Sequence, residues 1–471
     1  MNHPDRLSGL DSSFLHLEGA AQHMHVAECA ILAGPAPSYE MLVEMVGARL
    51  HLIPRYRQRL AFVPLSQGRP VWIDDPQFRL PFHVRHTALP RPGSDAQLRH
   101  LAGRIFSQAL DRLRPLWELW MVEGLSQGRF ALLIKTHHSL VEGPNIASVL
   151  FDRSSNPAPP EVAPAWIPKP PPTAAQLLAD ALVERATEPA ELKRTLRSSL
   201  RLPRRAAGAL GHRATRIGPL RALPTGSSEA PPSPYNRAIG PHRRFTWLQE
   251  EFERVRAIKD SLGGTVNDVV LAAVAGALGV HMRRHDHHTD GVTLQALVPV
   301  SVSQLPTAGS GSAPEPLIPV RAPLPVGVTD AAERLAIITA AMSGVKEREL
   351  ALGADAITNL AGFAPPTLVA QAARLQARER HFNLLVANVP GPQQPLYFAG
   401  HRLQEIYPLM PLAERTALSI AVLSYDGTMN FGINADYDAL PDLEELAEDF
   451  RTALNELAQA AARRHEVPAP R

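Results

Sequence analysis

The chain has 471 residues, of which 45% are hydrophobic and 20% are charged, and its formal net charge at pH 7 is +2. This composition is typical of a folded globular protein, and the small net charge does not indicate a nucleic-acid partner. A chain of this length is expected to form two lobes and not a single core. The single cysteine, Cys29, excludes an intramolecular disulfide and fits a reducing compartment.

The first third of the chain predicts a mixed sheet with flanking helices. Strands are predicted at 23–32, 59–63, 70–72 and 82–84, and helices at 39–52 and 97–109. Residues 117–122 alternate in the manner of a strand, and a glycine-bounded turn at 124–128 separates them from the apolar run 129–136. The two runs predict a hairpin.

Two adjacent histidines follow this hairpin. Successive side chains of a strand point to opposite faces, so if the strand runs through the pair, His137 and His138 cannot both face one site. This argues against a two-histidine metal pair and favours one working histidine whose neighbour supports the loop. An imidazole suits proton removal from an alcohol near neutral pH, although a bare pair of histidines is more often an ordinary strand end. Pro144 and the apolar residues after it predict the start of a helix.

A proline-rich linker at 156–172 and a predicted helix at 174–201 separate the two halves. Arginines, one lysine and interleaved leucines make the stretch from 193 to 221 basic and amphipathic. Such a segment either lies on an anionic lipid surface or forms a solvated helix between lobes. The longest apolar run, 269–280, is shorter than the roughly 20 residues that span a bilayer, so we predict no membrane span.

The second half predicts another mixed sheet. Strands are predicted at 243–247, 292–302, 317–324 and 382–388, and helices at 248–262, 329–350, 355–362, 366–380 and 440–461. Asp426-Gly427 predicts a tight hairpin turn between strands 417–425 and 428–435. Thr265 is the predicted cap of a helix whose first turn holds Asn267 and Asp268.

A histidine-rich segment follows that helix. His281, His285, His287 and His288 with Asp286 have the composition of a chelator. They lie in a polar stretch, where such residues more often form surface, so we predict no metal.

Five segments, in order along the chain, resemble the bacterial wax ester synthase/diacylglycerol acyltransferase family, a branch of the CoA-dependent acyltransferases. They are LSGLDSSF at 7–14, RPLWE at 114–118, HHSLVEG at 137–143, ND at 267–268 and NVPGP at 388–392. The third resembles the HHxxxDG active-site motif of that family, with Glu142 in place of the aspartate. The segments cover most of the chain, which makes the resemblance specific.

The resemblance implies an α/β (α+β) protein with the two-lobed chloramphenicol-acetyltransferase-like fold, mixed sheets and flanking helices. We expect lobes at 1–155 and 241–471, with a connector at 156–240. The implied reaction moves a long-chain acyl group from acyl-CoA, a co-substrate, to diacylglycerol or a long-chain alcohol, with no further cofactor. In the implied reaction His138 is the general base. His137, Glu142 and Gly143 support the corner at which the strand before the histidines turns into the following helix. The residues expected to shape the channel are Asn267, Asp268, Asn388, Pro390 and Gly391.

Three hypotheses of function stay open at this point. The first is the lipid acyltransferase just described, which makes triacylglycerol or wax esters. The second is an acyltransferase of the same fold that uses another hydroxyl acceptor, and the third is a catalytically weak lipid-binding relative in which Glu142 marks relaxed function. No secretory signal is apparent, so we expect a cytoplasmic protein, held in part at the inner membrane or on lipid droplets by the connector.

Overall fold

The computed structural model describes residues 5–140, 145–156, 164–187, 229–301, 317–350 and 381–466. Glu142, Gly143, the basic stretch from 193 to 221 and the predicted helices at 355–362 and 366–380 lie outside these ranges, and so do parts of other predicted elements. Within them the expected α/β architecture is confirmed, since two six-stranded sheets and a two-stranded sheet are flanked by helices.

The helices and strands are numbered in chain order within the described residues. The helices are α1 (Gly9–Leu17), α2 (Tyr39–Arg49), α3 (Asp95–Phe106), α4 (Ile146–Leu150), α5 (Ala174–Thr187), α6 (Phe252–Leu262), α7 (Val266–Arg284), α8 (Ala331–Leu350) and α9 (Leu443–Glu466). The strands of the first half are β1 (His25–Leu32), β2 (Gln58–Ala61), β3 (Val71–Asp74), β4 (Val84–Ala88), β5 (Trp117–Glu123) and β6 (Phe130–His137). Those of the second half are β7 (Arg243–Glu251), β8 (Leu294–Ser301), β9 (Leu317–Leu324), β10 (Leu384–Val389), β11 (Tyr397–Phe398), β12 (His401–Leu409), β13 (Leu418–Tyr425) and β14 (Thr428–Asp436).

The first sheet has the strand order β11-β12-β1-β6-β5-β4. The predicted hairpin is confirmed, because β5 and β6 pair antiparallel with Trp117 opposite Thr136. Strand β1 pairs antiparallel with the other edge of β6 and brings His25 opposite His137. The end of β6 therefore has a neighbouring strand on both sides.

Strand β12 comes from the second half of the chain but belongs to the first sheet. It pairs antiparallel with β1, with Tyr407 opposite Cys29. We did not predict β11 or β12; the partner of β12 in the sheet, β1, lies near the start of the chain. The first sheet is thus completed by residues more than halfway along the chain.

The second sheet has the order β7-β14-β13-β10-β8-β9. The predicted hairpin is confirmed, since Tyr425 pairs with Thr428 and both turn residues, Asp426 and Gly427, have positive φ. Several predicted boundaries were wrong, among them the following two. Residues 248–251 extend β7, where Leu248 pairs with Phe431, and do not start a helix. The predicted strand at 82–84 is a helical turn through Phe82 that leads into β4.

Helix α7 lies in the core of the second half. It is 19 residues long and apolar enough, by length and composition, to cross a membrane, but 78% of its most apolar stretch is buried inside the protein. Buried residues cover its whole circumference, including Val270, Leu271 and Val274. Its apolar character is therefore satisfied by packing against α8, α9 and the second sheet.

An apolar cluster joins the two sheets. It contains Cys29 and Leu133 from the first sheet, Phe245 and Trp247 from β7, and Tyr407 from β12. The Trp247 and Tyr407 rings stack with their centroids 4.9 Å apart. The backbones also approach closely, because a Cβ atom on Gly432 would lie 1.7 Å from the carbonyl oxygen of Pro408.

We expect Gly432→Ala to destabilise the protein, because any side chain at this position forces β14 away from β12. Overpacking of this kind typically costs about 1–3 kcal/mol, or more where only backbone can move. The melting temperature measured by calorimetry should fall by several degrees. Gly19→Ala is the matched control, since a Cβ there meets nothing within 4 Å. An unchanged melting temperature in Gly432→Ala would contradict the close contact between the sheets.

Candidate active site

The two histidines are fixed through their backbones at the end of β6. The N–H of His137 donates to the carbonyl of Leu116 at 2.9 Å, and the N–H of His138 donates to that of Met24 at 2.8 Å. The chain then turns into a short helical turn, His138–Leu140. One partner precedes β5 and the other precedes β1, so the corner is held from both sides.

His137 faces the interior and only 1% of it is exposed. Its Nδ1 accepts from the N–H of Ser139 at 3.1 Å and lies 2.7 Å from the Ser139 hydroxyl oxygen. Because a neutral imidazole that accepts at Nδ1 carries its proton on Nε2, the Nε2–H faces Glu18, whose Oε1 is 3.5 Å away. His137 is therefore a support that closes the corner. Ser139 is itself buried beside this ring.

Glu18 anchors this support. Its Oε1 accepts from the N–H of Met24 at 2.8 Å, and its Oε2 accepts from Arg112 Nη2 at 2.6 Å and Nε at 3.0 Å. Burial alone would raise the pKa of Glu18, but the His137 ring, the Met24 N–H and Arg112 together outweigh it and lower the pKa to about 2. A fully ionised carboxylate thus lies behind the corner.

His138 points away from this network. It is partly exposed, and its ring packs on Phe14 with the centroids 4.1 Å apart and the planes inclined by 32°. Burial in this apolar setting, helped by the nearby His137, lowers the pKa of His138 to about 4. The imidazole is consequently neutral at pH 7 and has a lone pair available for a proton. The two rings face different sides, as predicted, although the strand ends at His137 and His138 begins the helical turn.

The segment after the corner differs from the prediction in one detail. Helix α4 begins at Ile146, and its cap is Asn145, whose Oδ1 accepts from the N–H of Ser148 at 2.8 Å. Pro144, which we predicted to open the helix, lies before the cap and outside the described residues. Glu142 and Gly143 also lie outside them, so their supporting role stays a prediction.

Asn267 and Asp268 lie in the first turn of α7, as predicted. Asp268 forms a capping box with Thr265: its carboxylate accepts from the Thr265 N–H at 2.8 Å, and its own N–H donates to the Thr265 hydroxyl at 3.2 Å. The Asp268 carboxylate is buried and used by this cap. Its residue type is therefore explained by helix capping.

The NVPGP segment contains the last two residues of β10 and the bend after it. The N–H of Gly391 donates to the Ser424 hydroxyl at 3.1 Å, and a Cβ on Gly391 would lie 2.2 Å from the Ser424 carbonyl oxygen. Only glycine fits there, so the bend is packed on the end of β13. Within the described parts of the chain, no hydrogen bond, ion pair or ring contact joins His138 to Asn267, Asp268, Asn388, Pro390 or Gly391. Their effect on a channel stays a prediction.

Sequence reasoning missed Glu18 and Arg112. Neither belongs to the five segments of the resemblance, and 94 positions separate them along the chain. Phe14 was noted only as part of the opening segment, with no role. Pairing at such separation has no local signature, so a fold was needed to find the network behind the corner.

Comparison with known proteins places the chain in a family. Residues 7–270 match the wax ester synthase/diacylglycerol acyltransferase catalytic domain, and residues 319–458 match the C-terminal domain of the same family. A putative diacylglycerol O-acyltransferase of Mycobacterium tuberculosis is 33% identical over 475 residues, covering 97% of this chain and 91% of that protein. A probable diacylglycerol O-acyltransferase of the same species is 34% identical over 463 residues, covering 96% and 98%.

The chain is also similar to solved structures. The wax ester synthase/diacylglycerol acyltransferase from Marinobacter aquaeolei VT8 is 28% identical, with a TM-score of 0.65, covering 97% of this chain and 100% of that one. The first condensation domain of the CDA synthetase has a TM-score of 0.52 at 17% identity, covers 98% of both chains, and shows likeness of fold alone. The expected two-lobed, chloramphenicol-acetyltransferase-like architecture is thereby confirmed. The two family matches and the relatives similar along nearly the whole chain show that this protein belongs to the wax ester synthase/diacylglycerol acyltransferase family and is an O-acyltransferase.

Proposed function

We propose that the protein transfers a long-chain fatty acyl group from acyl-CoA to the free hydroxyl of diacylglycerol, making triacylglycerol, and also to long-chain alcohols, making wax esters. The observation that carries this proposal is the partly exposed, neutral imidazole of His138 at the corner of a chain from this family. The names of the two mycobacterial relatives support diacylglycerol as the acceptor. The family name supports the alcohol as a second one.

In this mechanism His138 acts as general base and then as general acid. It takes the hydroxyl proton while the acceptor oxygen attacks the thioester carbonyl carbon. As the carbon–sulfur bond breaks, the imidazolium returns the proton to the departing CoA sulfur. The products are an ester and free CoA, and no covalent enzyme intermediate or further cofactor is required. The low pKa of His138 secures the unprotonated form at neutral pH at the cost of some basicity.

Glu18 and His137 position that base without touching the reacting atoms. Their contact fixes the end of β6 from behind, and the adjacent peptide carries the ring of His138. A displacement of the order of 1 Å at a catalytic group can lower a rate by roughly 100-fold, so the support matters to the rate. The contact also stabilises the folded protein, because the pKa of Glu18 is lower in the folded state than its ordinary value of 4.5.

Two alternatives remain. An acyltransferase of this fold could use another hydroxyl acceptor, and a lipid-binding relative could have lost turnover through Glu142. One assay distinguishes both alternatives from the proposal: purified protein is supplied with labelled palmitoyl-CoA and either diacylglycerol or hexadecanol, and labelled ester is measured. Ester formation with other acceptors alone supports the first alternative, and lipid binding without turnover supports the second.

Removal of the base should abolish most of the activity. We expect His138→Ala to lower the rate of ester formation by about 10²–10⁴-fold, the usual contribution of a positioned general base. The assay is the appearance of labelled triacylglycerol or wax ester. His100→Ala, at an exposed histidine of α3, is the matched control and should retain the wild-type rate. Undiminished turnover in His138→Ala would refute general-base catalysis by this residue.

The pH dependence should report the low pKa of His138. Because the base works unprotonated and its pKa is about 4, kcat/KM should stay level from pH 8 through pH 6 and decline only as pH approaches 4. An ordinary histidine would already be half protonated near pH 6.5. Circular dichroism at each pH checks that the protein is still folded. An acidic limb centred near 6.5 would contradict the shifted pKa.

Glu18→Gln should destabilise the protein in a pH-dependent manner. The folded-state pKa of about 2 lies below the ordinary 4.5, so the carboxylate contributes stability above pH 4.5 that is lost as pH falls towards 2. We expect the variant to lose about 1–3 kcal/mol of unfolding free energy at pH 7, and the difference to narrow below pH 4. Urea unfolding at several pH values measures it. Glu333→Gln, at an exposed position of α8, should show no such dependence.

A further inference from the structure

We propose that His281, His285 and Asp442 bind a zinc ion at the surface of the second half of the chain. His281 lies in the last turn of α7, His285 caps that helix, and Asp442 directly precedes α9. The site is thus built where the carboxyl end of one core helix meets the amino end of another. It is separate from the proposed catalytic corner and does not rest on the proposed function.

The three donor groups converge on one point. His281 Nε2 is 3.2 Å and His285 Nε2 is 2.5 Å from the same oxygen of Asp442, Oδ2. Donor atoms of all three residues lie within 4.8 Å of one another. The histidines are four positions apart, so they lie on the same side of the helix end. Around a tetrahedral zinc with bonds of about 2.0–2.1 Å, ligand atoms are roughly 3.3 Å apart, so zinc would replace the hydrogen bond between His285 and Asp442 as these side chains rotate slightly apart.

The buried histidine has a nitrogen that the protein itself leaves without a hydrogen bond. His281 Nδ1 lies 3.1 Å from the hydroxyl oxygen of Tyr235, whereas its Nε2 is buried and makes no hydrogen bond within the part of the chain that the structure describes. Nε2 is close to Asp442 but not in hydrogen-bonding geometry. Since buried polar atoms are nearly always satisfied, this nitrogen requires an explanation, and a metal bond at Nε2 supplies one.

Tyr235 completes the arrangement from behind. Histidine ligands commonly bond through the second ring nitrogen to a fixed neighbour, which sets the tautomer and the ring orientation. The hydroxyl of Tyr235 can accept the Nδ1–H of His281 and so direct the lone pair of Nε2 towards Asp442. Tyr235 is itself buried and therefore a rigid support.

The donor set selects the kind of ion. Two imidazoles and one carboxylate are typical zinc ligands, whereas magnesium and calcium prefer oxygen alone. The His285 side chain is 44% exposed, so an ion can enter from solvent and water can fill the fourth position. The neighbouring cation, Arg284, is paired with Asp449 and Glu445, which limits its repulsion of a metal.

Two of the five residues in the predicted histidine-rich cluster, His281 and His285, belong to the proposed site. His287 and His288 are exposed, and they do not belong to the group of donors, nor does Asp286. The carboxylate of the proposed site comes from Asp442, which is far away in the sequence, and not from Asp286, which the sequence pattern indicated. Bound zinc would link α7 to α9, so its expected effect is on stability and not on the chemistry at His138.

Calorimetric titration of the chelator-treated full-length protein with zinc chloride tests the proposal. We expect one ion per chain, at least tenfold weaker binding in His285→Ala and in Asp442→Asn, and weaker binding in Tyr235→Phe. Asparagine is as good a helix cap as aspartate, so Asp442→Asn leaves α9 intact. Zinc should also raise the melting temperature of the wild type by a few degrees, and this rise should vanish in both ligand variants.

The control is the double variant His287→Ala/His288→Ala, which removes two histidines from the same segment. It should bind zinc as the wild type does. Absence of zinc binding by the wild type, undiminished binding in both ligand variants, or loss of binding in the double control would each overturn the proposal. Magnesium chloride in the same titration should give no comparable heat.

Discussion

The site depends on two backbone hydrogen bonds at the end of β6. The N–H groups of His137 and His138 donate to carbonyls on opposite sides of the strand end, at Leu116 and Met24. With both peptides held, the side chains cannot exchange places: one ring enters the interior and the other reaches the partly exposed side. The interior position of His137 and the partly exposed position of His138, the base that we propose, therefore follow from the way these two peptides are held.

The sheet that presents this corner is shared by both halves of the molecule. Strand β12 closes the edge of β1, and the apolar cluster around Trp247 and Tyr407 fills the space between the sheets. The position of β1, and hence of the Met24 carbonyl, consequently depends on residues near 407. A connection of this kind couples the shape of the first half to the folding of the second.

Several elements of the fold could be predicted from short runs of adjacent residues. The hairpin before His137, the Asp426-Gly427 turn and the Thr265 cap are each specified by a few adjacent residues, and all three are confirmed. What escaped prediction depends on partners far apart in the chain. Strand β12 pairs with β1 near the start of the chain, and Glu18 and Arg112 carry no local signature that links them before the chain is folded. The histidine pair was visible in the sequence, but the carboxylate behind it was not.

The electrostatics of the corner explain why two histidines can be neighbours. Burial disfavours a charge on His138, and the carboxylate of Glu18 contacts Arg112 and His137 on the other side of the corner. A carboxylate bonded directly to His138 would instead raise its pKa and favour the protonated ring. By directing Glu18 to His137 and an apolar ring, Phe14, to His138, the fold keeps the His138 imidazole unprotonated near neutral pH, as the proposed general base requires.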